Sequence, residues 1–409
     1  MINLNFGPNE NLSDAWLSFK LLFQSWRWIR GKEITIVKNK ILKKFLNLPS
    51  SKFDVCLFFT GRSALYNLLK SLDLKSGDEV LVQAFTCSAV ILPIVALNLK
   101  PVFVDIENHS FSINPIDLEK KLSKKSKVII LQHTFGITPD QKDKVISVIK
   151  QHNLVLIEDI AHGINISNIK YQKSKIKNHF YLVSFGRSKS LSSVFGGAVV
   201  GNNKKIIKKL KNMILTPPSY SIIFKLLLYK PIVFIIKLTY NTYLGKLIHF
   251  LVNKLQLLTS EISQKEKQGN FDDFFNHSYP NALAILLLNQ FRRFKSIQNQ
   301  GTSIVNFYQK NLKNKLQLKL DNQSLIRYPL LVKNPAKIIE KMAKKNIFLG
   351  QWYNWPIAPY GFPLEKVGYR WGSCPQAEKI RQKIINLPTN INLKQAERVV
   401  NILKTLNDV

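Results

Sequence analysis

Lys189 ends the run Ser184-Phe185-Gly186-Arg187-Ser188-Lys189, and thirty residues earlier Asp159 closes Ile157-Glu158-Asp159. An amine and a carboxylate so placed could do carbonyl chemistry together. A free lysine, with a pKa near ~10.4, is a poor nucleophile at neutral pH; partial burial lowers that value and frees the amine to bond a carbonyl carbon. In a chain this rich in lysine, any single one is by default a surface residue. The context argues otherwise for Lys189: Phe180-Tyr181-Leu182-Val183 reads as a buried strand before Ser184, and Gly196-Gly197 opens another apolar strand over Ala198-Val199-Val200,. Asp159 could cap a helix, or pair with a pyridinium nitrogen and keep it protonated. Glu158 should face the other way, because side chains alternate along a strand. His162 could hydrogen-bond a cofactor's phenolic oxygen or cap a turn. Gly61-Arg62-Ser63-Ala64 enters a helix after a strand, where backbone N–H groups bind phosphate; Arg62 and Ser63 add charge and a hydroxyl, and Ser184 adds another donor,. A Schiff-base amine, an acid for a ring nitrogen and a phosphate cradle are together what a pyridoxal phosphate enzyme needs.

The elements that must hold these groups are legible as texture. Short apolar runs at 55–59, 80–82, 102–105, 128–131 and 154–157 alternate with helical stretches at 61–69, 88–97, 115–123 and 140–151. That alternation predicts a mainly parallel sheet covered on both faces, with ligand sites at the carboxyl ends of its strands. Each polar cluster named above falls at such an end. Residues 1–50 lean towards helix, 51–290 form the large α/β domain, and a second α/β texture over 291–409 predicts a smaller C-terminal domain. Within the large domain, residues 215–257 are a hydrophobic helical insertion. Its lysines interrupt every apolar run well short of the roughly 20 residues a membrane span needs, leaving a buried hairpin, an oligomer contact or an interfacial helix pair with snorkelling lysines.

The 409 residues, 45% of them apolar, exclude wholesale disorder, whereas a net charge of +35 is extreme,. The excess is mostly lysine, dispersed along the chain and unaccompanied by any nucleic-acid-binding motif, so no specific nucleic-acid partner is expected. Three cysteines, Cys56, Cys87 and Cys374, form no CxxC pair, so neither a disulfide framework nor a metal site is expected,. Met1-Ile2-Asn3-Leu4-Asn5 lacks the pattern of a signal peptide,. A cytoplasmic location is expected, with peripheral contact at the inner face of a membrane through 215–257 as a further option.

Taken in order, Gly61-Arg62-Ser63-Ala64-Leu65, Gly77-Asp78-Glu79-Val80, Pro101 to Ile106, His133-Thr134-Phe135-Gly136, Ile157-Glu158-Asp159, Ser184-Phe185-x-x-x-Lys189 and Gly196 to Val200 resemble the DegT/StrS-type family. These are fold type I (aspartate aminotransferase-like) PLP-dependent aminotransferases acting mainly on nucleotide-linked keto-sugars. The likeness is close over about 53–202 and continues more weakly through Arg327-Tyr328-Pro329-Leu330 and Asn386-Leu387-Pro388-Thr389. It implies that Lys189 bonds the cofactor's aldehyde carbon, that Asp159 contacts the pyridine nitrogen, and that Ser184 with Gly61, Arg62 and Ser63 holds the phosphate. His162 stands where the family often has glutamine near the ring oxygen. Cys87 stands where an aromatic residue usually stacks on the ring, with Phe85 as a substitute, and Arg62 replaces a more usual threonine. A partner subunit of a homodimer would complete the pocket from a segment like Asn276-His277-Ser278-Tyr279-Pro280, with Asn276 the residue assigned. The implied reaction moves an amino group, glutamate being the expected donor, to a keto-sugar in amino-sugar or cell-surface polysaccharide biosynthesis. The alternatives are PLP-dependent elimination or decarboxylation, and a catalytically idle PLP-fold protein that binds a membrane or partner through its insertion. The presence of Lys189 disfavours a lysine-free sugar dehydratase.

Overall fold

The computed structural model describes residues 2, 3, 7, 9–163, 176–312, 316, 318, 320 and 322–406. Met1, Leu4 and Asn5, on which the signal-peptide reading partly rests, lie outside the described residues. Seven strands form the central sheet: β1 (Asp54–Phe58), β2 (Glu79–Gln83), β3 (Lys100–Val104), β4 (Ser126–Gln132), β5 (Val155–Asp159), β6 (His179–Ser184) and β7 (Gly197–Gly201). Their order is β1-β7-β6-β5-β4-β2-β3. The pairs β2–β3, β2–β4, β4–β5 and β5–β6 are parallel, and only β7 runs against its neighbours β1 and β6. Strand β4 shows why these runs read as continuously apolar. Val128 and Ile130 enter the core on one face, while Ile129 and Leu131 enter the core on the other, so both sides of the pleat are dry.

The reversal at β7 creates the loop that carries Lys189. Residues 185–196 connect the antiparallel pair β6–β7, whose register sets Ser184 opposite Gly197. Backbone bonds from Phe185 N to Gly196 O (2.8 Å) and from Ser193 N to Phe185 O (3.0 Å) draw the loop closed. A Cβ on Gly197 would lie 2.3 Å from the Thr60 carbonyl oxygen. Glycine there lets the turn after β1 press against the loop.

Four helices shape the site and the outer surface: α1 (Leu12–Leu22), α2 (Gly61–Ser71), α3 (Tyr220–Thr239) and α4 (Leu244–Lys254). Helix α2 begins at an N-cap, Thr60, in a reciprocal box with Ser63. Helices α3 and α4 fall within 215–257 and form a hairpin, and Gly245 lets them meet: a Cβ there would sit 2.6 Å from Ile236 O. Helix α1 packs along α3, with Ser18 Oγ donating to Leu227 O at 2.7 Å. In mid-α3, Lys230 is fully buried and donates to both carboxylate oxygens of Glu10 (2.6 and 2.5 Å) and to Ser192 O (3.1 Å). Beside it, Asn9 Nδ2 donates to Ser190 O at 2.6 Å. The N-terminal segment and the hairpin therefore grip the same loop that carries Lys189.

The C-terminal part differs from a separate unit in two respects. The boundary drawn between residues 290 and 291 falls inside helix Asn281–Arg292. Its antiparallel strands Arg327–Leu331 and Ile384–Pro388 and helix Leu393–Lys404 share one apolar cluster with the sheet: Leu330, Ile385 and Val399 pack in the same core as Val82 and Ile130. Local periodicity reports which face of an element is apolar, not which neighbour covers it. The amino terminus also joins the C-terminal part, since Ile2–Asn3 pairs in parallel with Ile347–Phe348.

Candidate active site

Strands β5 and β6 and the turn into α2 end at one cavity of about 480 Å³, whose walls include Lys189, Asp159, His162, Ser184, Gly61 and Arg62. Cys87 also lines it. Lys189 is half-buried in this wall. Loss of water around the amine pushes its pKa below the usual lysine value, against the pull of the Asp159 carboxylate, and Arg327 pushes it the same way as burial. Such an amine has a larger neutral fraction than one in solvent.

The carboxylates at the end of β5 separate as alternation requires. Asp159 faces the cavity, its Oδ1 accepting the Ala161 N–H at 2.9 Å, and burial raises its pKa. Glu158 points to the other side, where it accepts from His133 Nε2 (2.8 Å) and Lys142 Nζ (2.7 Å) and lies 2.8 Å from His179 Nε2. Burial alone would raise the pKa of Glu158; Lys142 and the two histidines overcome it and hold the carboxyl well below its usual 4.5. A depressed carboxyl pKa stabilises the fold fully above the unfolded value and ceases to do so as pH falls through the folded value. Glu158→Gln should therefore lower the stability of the protein by about 3 kcal/mol at pH 7. Thermal melts at stepped pH check this: the gap from wild type should be widest at neutrality and shrink in acid below the usual 4.5. A gap independent of pH would refute the electrostatic account.

His162 has a defined tautomer. Its Nδ1 accepts the Phe135 N–H at 3.1 Å, so the proton of the neutral ring sits on Nε2, which faces the Tyr353 hydroxyl at 3.0 Å,. Burial, Lys189 and Arg327 all push its pKa well below the usual 6.5, so the ring stays neutral. Trp352 stacks on the imidazole, 5.1 Å between ring centroids, and on Tyr353 at 5.8 Å, while the Arg327 guanidinium lies 3.2 Å and the Lys189 amine 5.2 Å from its ring centre. Trp352, Tyr353 and Arg327 all come from the C-terminal part. Sequence reasoning assigns none of them to the site, although the aromatic run Trp352-Tyr353-Asn354-Trp355 was a signal that something apolar and flat was being built there.

A Cβ on Gly61 would come within 3.2 Å of Ser184 Oγ, so the absence of a side chain keeps open the gap between the α2 N-terminus and that hydroxyl. Ser63 is placed differently from the expectation. Its hydroxyl is fully buried, accepts from Thr60 N at 3.1 Å and donates to Thr60 O at 3.0 Å, so it closes the helix cap instead of facing the cavity. Arg62 lines the cavity, but its guanidinium is paired with the buried Glu266 and bonded to Glu261 O at 2.5 Å. The extra cation read from the sequence is thus already neutralised by a carboxylate two hundred residues away. Glu261, also unanticipated, lines the cavity and accepts the Arg187 N–H at 3.1 Å.

One further expectation needs correction within this chain. Phe85 does not cover Cys87: with φ of 63° it turns into an aromatic cluster, stacked on Phe111 at 5.7 Å. The aromatic surface of the cavity is supplied by Trp352 and Tyr353 instead. Asn276 is absent from the cavity wall of its own subunit; its Oδ1 accepts from Asn67 Nδ2 at 2.7 Å, beside α2.

The residues present fit pyridoxal phosphate. The Gly61 gap accepts an anion between a helix N-terminus and a hydroxyl, a buried carboxylate faces the interior, and the amine stands in the same wall,.

The model of the DegT/DnrJ/EryC1/StrS aminotransferase family matches residues 40–217 and 252–404. An uncharacterized protein of Methanocaldococcus jannaschii is 26% identical over 361 residues, which cover 85% of this chain and 84% of that protein. GDP-perosamine synthase of Vibrio cholerae is 34% identical over 155 residues, 37% of this chain and 42% of that enzyme; the match spans less than half of that relative's length. Among solved structures, Helicobacter pylori PseC, an aminotransferase involved in the biosynthesis of pseudoaminic acid, superposes with a TM-score of 0.71 at 19% identity, covering 99% of each chain. Bacillus subtilis NtdA with bound PMP superposes with a TM-score of 0.67 at 19% identity, over 95% of this chain and 80% of that one.

Proposed function

Since this chain belongs to the DegT/DnrJ/EryC1/StrS aminotransferase family and is a PLP-dependent transaminase of fold type I, we propose that it transfers an amino group from glutamate to a nucleotide-linked keto-sugar. The observation that carries the site assignment is the convergence of Lys189, Asp159 and the Gly61–Ser184 gap on one cavity. When bound, the cofactor supplies a carbonyl carbon and a ring that withdraws electrons from the carbon bearing the amine. Lys189 would hold that carbon and, through its neutral amine, would carry a proton to and from the donor carbon. Asp159 keeps the ring nitrogen protonated. Ser184 and the start of α2 hold the phosphate, with Gly61 leaving the space for it. The neutral His162 orients the Tyr353 hydroxyl towards the cofactor side of the cavity.

A sugar acceptor is supported by the outer wall, where Gln351, Asn354 and Glu261 offer hydrogen bonds beside the aromatic faces of Trp352 and Tyr360. The names of relatives in amino-sugar and spore-coat polysaccharide biosynthesis support the same pathway class. In a homodimer, the 276–280 segment of a second copy would face this wall.

Two half-reactions test the reading. PLP-loaded protein mixed with glutamate should yield pyridoxamine phosphate and 2-oxoglutarate, read by absorbance and mass. The amine form should then be discharged by nucleotide-linked 3- or 4-keto-hexoses and not by the free sugars. No pyridoxamine phosphate with either glutamate or glutamine would count against transamination from these donors, and equal discharge by free sugars would remove the nucleotide from the proposal.

A further inference from the structure

Helices α1 and α4 are apolar on the wrong side. The stripe Leu12, Trp16, Phe19 and Phe23 follows helical spacing along α1 and its flank, yet all four side chains are exposed, while Asp14, Ala15, Ser18 and Leu21 are the buried ones,. On α4 only Gly245 and Val252 are buried, and Leu244, Leu247, Phe250 and Leu251 point outward. A soluble helix with its apolar stripe facing water is waiting for something to cover it.

The position of this surface within the family fold is informative. The family match leaves out residues 1–39 and 218–251. Among the described residues, fifteen of the twenty-two exposed large apolar side chains fall in those two stretches. The exposed apolar area is therefore concentrated in the stretches outside the family-model match, where α1 and α4 both pack against α3.

Charge selects the occupant. No aspartate or glutamate occurs between Asp159 and Glu261, so the hairpin carries Lys225, Lys230, Lys237, Lys246 and Lys254 without a single carboxylate. The two carboxylates nearest α1 are buried, Glu10 on Lys230 and Asp14 on Arg293. What remains outside is apolar and cationic. Lysines fold back onto its aromatics: Lys20 over Trp16, Lys246 over Tyr243 and Lys254 over Phe250, at 5.0, 4.4 and 5.9 Å from the ring centres. A second copy would bring lysine against lysine. An anionic lipid surface matches both features, since it accepts apolar and aromatic side chains into the headgroup boundary and attracts the lysines at its rim. Among the described residues no helix is long and apolar enough to cross a membrane, so the contact is peripheral. We propose that the outward faces of α1 and α4 seat this enzyme on an anionic membrane surface.

The test uses the full-length holoenzyme and extruded vesicles of phosphatidylcholine, alone or with about one-third phosphatidylglycerol. Flotation should recover the protein with the anionic vesicles and not with the neutral ones. Each lysine lying at the surface contributes roughly fivefold, so raising salt to about 0.5 M should reduce binding by an order of magnitude or more. Phe250→Asp and Phe19→Asp, both at exposed positions, should each weaken binding at least tenfold while leaving the Tm and the glutamate half-reaction unchanged. Equal recovery with neutral vesicles, no recovery with either, or full binding by both variants would overturn the proposal. So would self-association that F250D abolishes in the absence of lipid, which would make a second copy the occupant. Because the half-reaction is read separately, failure here leaves the aminotransferase reading standing, and failure there leaves this one.

Discussion

Lys189→Ala should reduce transamination by ~10⁴-fold or more, the range lost when one group that serves as both nucleophile and general acid–base is removed. Among the described residues, neither of two other buried or half-buried amines can substitute. Lys142 is committed to Glu158 on the far face of β5, and Lys230 is sealed against Glu10. The loop itself should survive, because the closing bonds are made by the backbone of Phe185, Ser193 and Gly196 and not by the lysine side chain. Saturating PLP should therefore still bind the variant through the α2 terminus and Ser184, at reduced affinity, with an unchanged Tm for the apo protein. Borohydride reduction followed by peptide mapping provides a second check. Wild type should carry the cofactor on Lys189 alone, and K189A should carry none. Label on any other lysine would move the site.

Asp159→Asn should cost about 10³-fold in turnover at saturating cofactor, a loss typical of deleting one buried charge aimed at the reacting system. Asparagine can keep the bond from Ala161 N, so the geometry at the end of β5 is retained and the measurement isolates the charge. Stability should respond in the opposite sense. Burial raises the carboxyl pKa of Asp159 in the folded protein above its usual 3.8, so the folded state binds the proton more tightly than the unfolded chain. Its charged form therefore lowers stability above the raised folded value, and that penalty is absent below 3.8,. The apo D159N protein should accordingly melt no lower than wild type at pH 7, with any gain vanishing in acid. A large fall in Tm would make Asp159 a structural residue and weaken its assignment to the ring nitrogen.

These two residues were legible in sequence for a physical reason. Each sits within five residues of a strand end, and an apolar run shows where a strand stops. Glu158 could be turned away from the site by alternation alone, and its three partners lie on the far side of β5. Ser63 shows the limit of local reading. A serine three residues after Thr60 fits a helix cap as well as a phosphate site, and only the fold shows that its hydroxyl is consumed by the cap. Arg62 and Glu266, or His162 and Tyr353, are about two hundred residues apart. Nothing in the periodicity of one segment reports such a partner. The wall contributed by Trp352 and Tyr353 was beyond reach for the same reason, since it depends on how the C-terminal part lies over the sheet.

The buried Lys230–Glu10 pair has a consequence for descent. It joins the two pieces that lie outside the family match, one before residue 40 and one between 217 and 252. Either piece alone would leave a charge sealed in the interior without its counter-ion, which costs ~3–5 kcal/mol. The amino-terminal segment and the hairpin are therefore tied to one another by this pair. A lineage that changes either Lys230 or Glu10 to a neutral residue should change the other in the same step.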